Sequence, residues 1–308
     1  GPPYTVTYKV DSEVWKTAEC HADDLFTPET YTKTGYTVSA WTSDDVTIGA
    51  DGTFTMPYKD VVLEATATPI QYTIRFTNVN PLMNDVAATY DQEVTLPHCA
   101  HKNLGGAFDG WDDGDGNIYK DVETVKNLAS TNGAVVVLEA TWVHVSIEIR
   151  FTQDGQTGFV GPYISILDDY GGGCAVHLDE DSQVYNAADP VGIVDDSTYN
   201  VEADEKIVGQ VTFVDGQVSA LIELFTVKFM TDTGEMQRDV VGKGYTAQTP
   251  AVPAKTGYTG KWMVGDTEFT EETIVTSTLT VKAVYTPEQF TVTFDSEDVT
   301  VMDGDTAV

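Results

Sequence analysis

The sequence predicts a mainly β chain built from small tandem repeats, with one segment of a different β pattern set among them. Three observations lead there. A stretch alternating bulky and polar residues occurs four times, as Tyr4-Thr5-Val6-Thr7-Tyr8-Lys9-Val10, Tyr72-Thr73-Ile74-Arg75-Phe76, Phe225-Thr226-Val227-Lys228-Phe229 and Phe290-Thr291-Val292-Thr293-Phe294. Successive side chains of a strand point to opposite faces, so this period of two marks strands with one face buried. Three further stretches lead to a tryptophan: Lys33-Thr34-Gly35-Tyr36 to Trp41, Gly105-Gly106-Ala107-Phe108 to Trp111, and Lys255-Thr256-Gly257-Tyr258 to Trp262. Each closes on an apolar β segment, at Leu63 to Ala67, Val136 to Trp142 and Val281 to Tyr285. Runs such as Asp51-Gly52 and Gly114-Asp115-Gly116-Asn117 supply the turns that reverse strands.

The spacing sets the unit. From Tyr4 to Tyr72 is 68 residues and from Phe225 to Phe290 is 65, whereas Tyr72 to Phe225 is 153, about one repeat too many. Expected units are therefore repeats at 1–70, 71–145 and 225–288, an inserted segment at 146–224 and the start of another repeat at 289–308. In order, each repeat has its opening strand, a second β segment (Asp85 to Leu96, Asp239 to Thr249), a proline-containing connector, the tryptophan strand, a turn and the closing strand. Linkers as short as Thr68-Pro69-Ile70-Gln71 place neighbouring units end to end. The inserted segment reads as short strands every ten or so residues, at Ile147 to Phe151, Tyr163 to Asp168, Ser197 to Ala203 and Val218 to Leu224, a sandwich pattern.

These residues resemble a known family. The run from Gly-Tyr to Trp, with Val125-Lys126-Asn127-Leu128, Asn132-Gly133 and Leu138-Glu139-Ala140-Thr141-Trp142, is similar to the Listeria–Bacteroides repeat, the B repeat of internalin-type surface proteins. The first repeat departs from it by ending in Ala67 where the pattern has an aromatic residue. The resemblance implies β-grasp-like repeats with α+β character in an exported bacterial surface protein. The inserted segment weakly resembles the prealbumin-like B-type domains of collagen-binding adhesins. Many of those carry a Lys to Asn crosslink that starts from the first strand; Arg150 stands there and Lys206 is the segment's one lysine, so none is expected.

Charge excludes several functions. Asp and Glu number 49 against 16 Lys and Arg, a formal net of -33. Nucleic acid and anionic lipid are bound by neutralising phosphates, so neither is an expected partner. Such a surface stays solvated and resists self-association, so a monomer is expected. No apolar run has the length of a membrane span, so direct membrane insertion is not expected either. A hydrophobic content of 41% still provides cores. Cys20, Cys99 and Cys174 fall in three different units and give no paired framework. Gly1-Pro2 reads as a protease scar, which makes the chain an expected piece of a longer protein.

The chain carries few residue patterns that signal chemistry. No nucleophile elbow or phosphate loop is present, and pairs such as Asp195-Asp196 read as solvated rims, so no enzyme is expected. Pro97-His98-Cys99-Ala100-His101 offers zinc three ligands, without a fourth. Asp113, Asp115 and Asn117 alternate as in a calcium loop, but Ile118 and Thr124 stand where glycine and glutamate are needed. A tight hairpin is the expected reading there, with weak calcium binding as the alternative and no other cofactor. Trp41, Trp111, Trp142 and Trp262 are expected in cores, which leaves Trp15 with Tyr31, or Tyr163, Tyr170 and Tyr185, as candidate ligand-facing aromatics. The expected function is a non-catalytic extracellular spacer and adhesion region of a bacterial surface or secreted protein, meeting a host or cell-surface protein or glycan. The alternative is a glycan-binding module centred on the inserted segment.

Overall fold

A computed structural model describes residues 1–102, 106–157, 164–179, 184–293, 302–303 and 306–307. Strands dominate, and no helix occurs among the described residues. The mainly β class holds, while the α+β character implied for the repeats is absent there. The connectors explain it: Pro28, Pro97, Pro250 and Pro253 lack the N–H a helix interior needs. In place of helices, short strand pairs join Leu25–Phe26 to Phe54–Thr55 and Val94–Thr95 to Thr124–Val125.

The three repeats share one pairing plan. In the second, Gln71–Thr77 lies between its antiparallel partner Val86–Thr89 and the parallel closing strand Val135–His144, whose far side takes the tryptophan strand Gly106–Asp112. The third repeats this with Gly234–Gly242, Leu279–Pro287 and Tyr258–Val264 around the end of Gln217–Thr231. In the first, Tyr4–Val10 takes Glu13–Cys20 and Val61–Ala65, and the tryptophan side is reduced to Tyr36–Val38 on Ala67–Pro69 and a bridge from Thr42 to Glu64. Alternation does the burying. Tyr72, Ile74 and Phe76 point inward with Leu138, as Val227 and Phe229 do with Val281, and Val6 and Tyr8 with Leu63.

The recurring Lys-Thr-Gly-Tyr is a turn. Tyr36 N–H donates to the Lys33 carbonyl and Tyr258 N–H to that of Lys255, both at 3.0 Å, with Gly35 and Gly257 at φ of 78° and 76°. Glycine enters that left-handed region without a Cβ penalty. The lysine then folds over the tyrosine ring it precedes, 3.6 Å from the centroid of Tyr36 and 4.4 Å from that of Tyr258.

The inserted segment has its own core of Ile147, Ile149, Phe151, Ile166, Tyr199, Val201, Phe213 and Leu224. Its strands follow the path Lys206–Thr212, Thr198–Ala203, Ile164–Leu167, Gly173–Asp179, Val184–Val191, Ser146–Gln153 and Gln217–Thr231. The two ends of the path meet, because Gly209 lies against Ile222 and Val208 shares the core with Leu224. The boundary expected between 224 and 225 falls inside a single 15-residue strand, Gln217–Thr231.

Leu138, fully buried and registered against Phe76, tests whether each repeat keeps its own core. Leu138→Ala should cost about 2–5 kcal/mol, the usual loss for a buried leucine. Urea unfolding followed by hydrogen exchange should place that loss in residues 71–145 and leave amides of residues 4–66 protected.

Candidate functional site

Three places gather the residue types that carry chemistry. The first is the connector at His98 to His101, where the second repeat meets the inserted segment. Asp121 organises it: Oδ2 is 2.5 Å from His98 Nδ1, and Oδ1 accepts the Cys99 N–H at 2.8 Å. The His98 ring stacks on Tyr170 of the inserted segment at 4.0 Å between centroids. Cys99 is fully buried, and burial, with the Asp121 charge adding to it, pushes its thiol up to about 12. His101 points elsewhere, its Nε2 2.8 Å from the Ile193 carbonyl, so that nitrogen carries the proton and donates. Its Nδ1 is buried without a partner, and the ring meets Trp142 edge-on at 4.4 Å. Among the described residues no three or more His, Cys, Asp or Glu side chains are grouped to hold a metal ion.

The junction around this connector is a backbone ladder. Phe108 N–H donates to the Ile193 carbonyl at 2.8 Å, and Asp195 N–H donates to the Phe108 carbonyl at 2.7 Å. Val194 sits in the core of the second repeat, while Ala107 sits in that of the inserted segment. Asp195 is a correction to the solvated rim expected of it, being buried with Oδ1 accepting the Gly216 N–H at 2.8 Å. Asp196 is exposed and pairs with Lys120 at 3.0 Å.

The second place is the turn at Asp113, Asp115 and Asn117. Asp113 Oδ1 accepts the N–H groups of Asp115 at 2.8 Å and Asn117 at 3.1 Å, and Oδ2 accepts the Asn117 side-chain amide at 2.7 Å. These bonds, the Asn117 amide foremost, hold the Asp113 carboxyl below its ordinary range. Both oxygens face the hairpin's own donors, and Asn117 is turned toward Asp113. The arrangement is that of a self-capped turn.

Aromatic side chains make the third. Trp111 and Trp262 are buried at 0% and 3% exposure, as expected of core tryptophans. Trp41 and Trp142 are a partial correction, because both are only partly buried. Trp41 lacks the enclosing strand that the other repeats provide, and Trp142 sits late in its strand, with its indole N–H on the Asn78 carbonyl at 3.2 Å. Trp15 and Tyr31 do come together, with rings 5.0 Å apart and near-perpendicular, and Trp15 also stacks on Trp41. The sequence grouped Tyr170 with Tyr163 and Tyr185; Tyr163 and the side chain of Tyr185 lie outside the described residues, and Tyr170 is engaged with His98. Nothing in the one-dimensional pattern pointed to Trp41 as their partner, since its spacing matches the buried tryptophans.

Comparison with known proteins gives a partial match. Residues 4–66 and 225–284 match the Listeria-Bacteroides repeat domain. No curated protein matches the chain. Among solved structures, the Bacillus anthracis TIE protein is similar at 9% identity and a TM-score of 0.28, over 72% of this chain and 50% of that one, so the chain spans half its length. Streptococcal High Identity Repeats in Tandem (SHIRT) domains 3-4 from a cell surface protein align at 14% identity and 0.18, over 45% of this chain and 96% of theirs. A C-terminal fragment of the pilus adhesin SpaC from Lactobacillus rhamnosus GG aligns at 14% and 0.18, over 94% and 100%.

The His101 site yields a pH test. Burial holds its pKa below the ordinary value, the nearby His98 adds to that, and the Ile193 carbonyl and Asp121 oppose it. The unfolded chain then binds the extra proton first, so stability is level above about pH 6.5 and falls as pH drops below it. Urea midpoints measured between pH 7.5 and 5.5 should decline for the wild type, and His101→Gln should flatten that decline. Equal slopes for the two proteins would show that His101 does not report on the junction.

Proposed function

We propose that the chain is a non-catalytic repeat region of an exported bacterial surface protein, holding other parts of that protein away from the cell and contributing to adhesion. Its units are taken as 1–70, 71–145, 146–224 and 225–288, with 289–308 beginning another repeat. Two segments matching a repeat domain support the reading. So does the acidity, with a net of -33 that keeps neighbouring copies apart. No helix among the described residues is long and apolar enough to cross a membrane. The partner on this reading is a host or cell-surface protein or glycan.

The observation that carries the proposal is the construction of the junctions. At each, strand follows strand with almost nothing between: Ile70 separates Ala67–Pro69 from Gln71–Thr77, Val145 separates Val135–His144 from Ser146–Gln153, and Gln217–Thr231 crosses without a break. Side chains then lock each joint. Tyr36 OH donates to Asp91 at 2.7 Å, and Gly35 lies so close to the Tyr90 ring that a Cβ there would stand 2.3 Å from it. Asp154 accepts the N–H and hydroxyl of Thr226 and the hydroxyl of Thr278, and Lys206 pairs with the buried Asp239. Free linkers would let units tumble; joints of this kind transmit orientation and force along the chain.

Spin labels at Glu13 and Glu123, introduced as cysteines after Cys20→Ser, should give one narrow distance distribution by double electron–electron resonance. Gly35→Ala, which forces a side chain onto Tyr90 at a left-handed φ, should broaden it. A second label pair at Glu148 and Glu271 should be unmoved by that change. A broad distribution in the parent protein would defeat the spacer reading.

A further inference from the structure

We infer that the first repeat carries a binding groove for a neutral glycan, lined by Tyr31 and Trp41 and flanked by Trp15, whose ring packs against both. The starting point is a difference between repeats. Trp111 and Trp262 close their own cores, but Trp41, at the same repeat position, stands only partly buried and stacks on Trp15 with planes 11° apart and centroids at 6.2 Å. Trp15 projects from the edge strand Glu13–Cys20, which no strand covers on its outer side among the described residues. It is 38% exposed, so a large aromatic surface faces solvent in a molecule whose other tryptophans are more enclosed.

The rings are held in place before anything binds. Trp41 Nε1–H donates to the Glu29 carbonyl at 2.8 Å, and Tyr8 meets the same indole edge-on at 5.1 Å. Lys16 lies over Trp15, 5.6 Å from its centroid, and is itself fixed by Glu29 at 2.7 Å. Tyr31 abuts Trp15 from the connector side. Side chains fixed in this way lose little freedom on binding, which is where much of the cost of recognition lies.

Beside the rings runs a groove of about 710 Å³ between the stretches Thr27–Tyr31, Val38–Trp41 and Ile48–Gly52. That volume is within the range of small-molecule clefts. Its lining combines aromatic faces with hydrogen-bonding groups: the Asp51 carboxylate and the hydroxyls of Ser39, Thr27 and Thr30. Asp51 is kept ionised by the Thr53 N–H, then by the Thr53 hydroxyl, at 3.1 and 2.9 Å.

A pyranose fits this chemistry. One face of the ring presents C–H groups that pack on an aromatic plane, while its hydroxyls, both donors and acceptors, satisfy a carboxylate and neighbouring hydroxyls at the edge. Asp51, on a chain of net charge -33, repels sialylated, uronate-bearing and sulfated sugars, which leaves neutral sugars as the glycans this groove suits. The inference rests on the first repeat alone and does not depend on the spacer reading.

The full chain should be applied to a printed array of neutral, sialylated and sulfated oligosaccharides that also carries phosphocholine spots, and each positive neutral sugar then titrated by calorimetry. Binding to neutral glycans, weakened tenfold or more by Trp15→Ala and by Tyr31→Ala but unchanged by Tyr170→Ala, is the expected result. Trp15→Ala changes a solvent-facing residue, and an unaltered melting temperature will show that the variant is folded. Should Trp15→Ala lower that temperature, protection of tryptophan fluorescence from acrylamide by the bound sugar decides in the parent protein. No neutral glycan bound, binding confined to charged glycans or phosphocholine, binding indifferent to Trp15 and Tyr31, or absence of that protection would each overturn the inference.

Discussion

Each unit is organised by a parallel pair between its own first and last strands. The register runs from Val6 with Val61 in the first repeat, Thr73 with Val135 in the second and Val227 with Leu279 in the third. The inserted segment, which does not share the repeat motif, uses the same device with Ser146 opposite Gln217. Parallel neighbours cannot be joined by a tight hairpin, so the chain between them must cross over the sheet. That crossover carries the connector, the tryptophan strand and the turns, and it explains why all the candidate sites sit on it. The pair also fixes direction: the last strand leaves a unit pointing as the first one entered, and the next unit begins there.

Much of this was legible from the sequence. Tyr4 to Val10 and its counterparts announce themselves by alternation because one face is buried and the other is wet. The Lys-Thr-Gly-Tyr turn was visible for a local reason, since its hydrogen bond spans three residues and its glycine needs a conformation other residues avoid. Less was visible in the inserted segment, where Lys206–Thr212, Gly173–Asp179 and Val184–Val191 were missed. Two of those stretches carry glycines inside strands. Gly209 lies where a Cβ would meet Ile222, and Gly173 where it would meet the Ile166 carbonyl, so close packing across the unit, not local propensity, selects them.

Site residues were harder still, because their setting is made by contacts distant in sequence. His101 bonds to a carbonyl 92 residues away, and no feature of the run Pro97 to His101 encodes that. The tryptophans show the same limit. Position in the repeat predicts one environment for Trp41, Trp111 and Trp262, yet burial also depends on what closes the far side of the sheet. In the second repeat the tryptophan strand pairs along Gly106–Asp112, whereas in the first the equivalent pairing is three residues and a bridge. Shortening that ladder leaves Trp41 partly uncovered and gives Trp15 something to stack on.

Charge sets the remaining constraint, and it bears most on the joints. With 49 acidic residues against 16 basic ones, two units brought together repel unless the few cations near the contact are well placed. Lys120 spans the second joint, reaching Asp109 on its own repeat at 3.1 Å and Asp196 across it at 3.0 Å. At the third, Lys206 answers the buried Asp239, and Lys243 pairs with Glu223 at 2.5 Å. An exposed pair adds at most about 1 kcal/mol to stability, so such contacts are a weak account of why the units fold. They are a better account of orientation: Asp239 also accepts the Gln248 N–H, and a carboxylate buried with that bond alone would be left without its counter-charge if the units rotated apart. Strand continuity joins the units, and at the second and third joints the scarce lysines favour the arrangement in which the acidic faces tolerate contact.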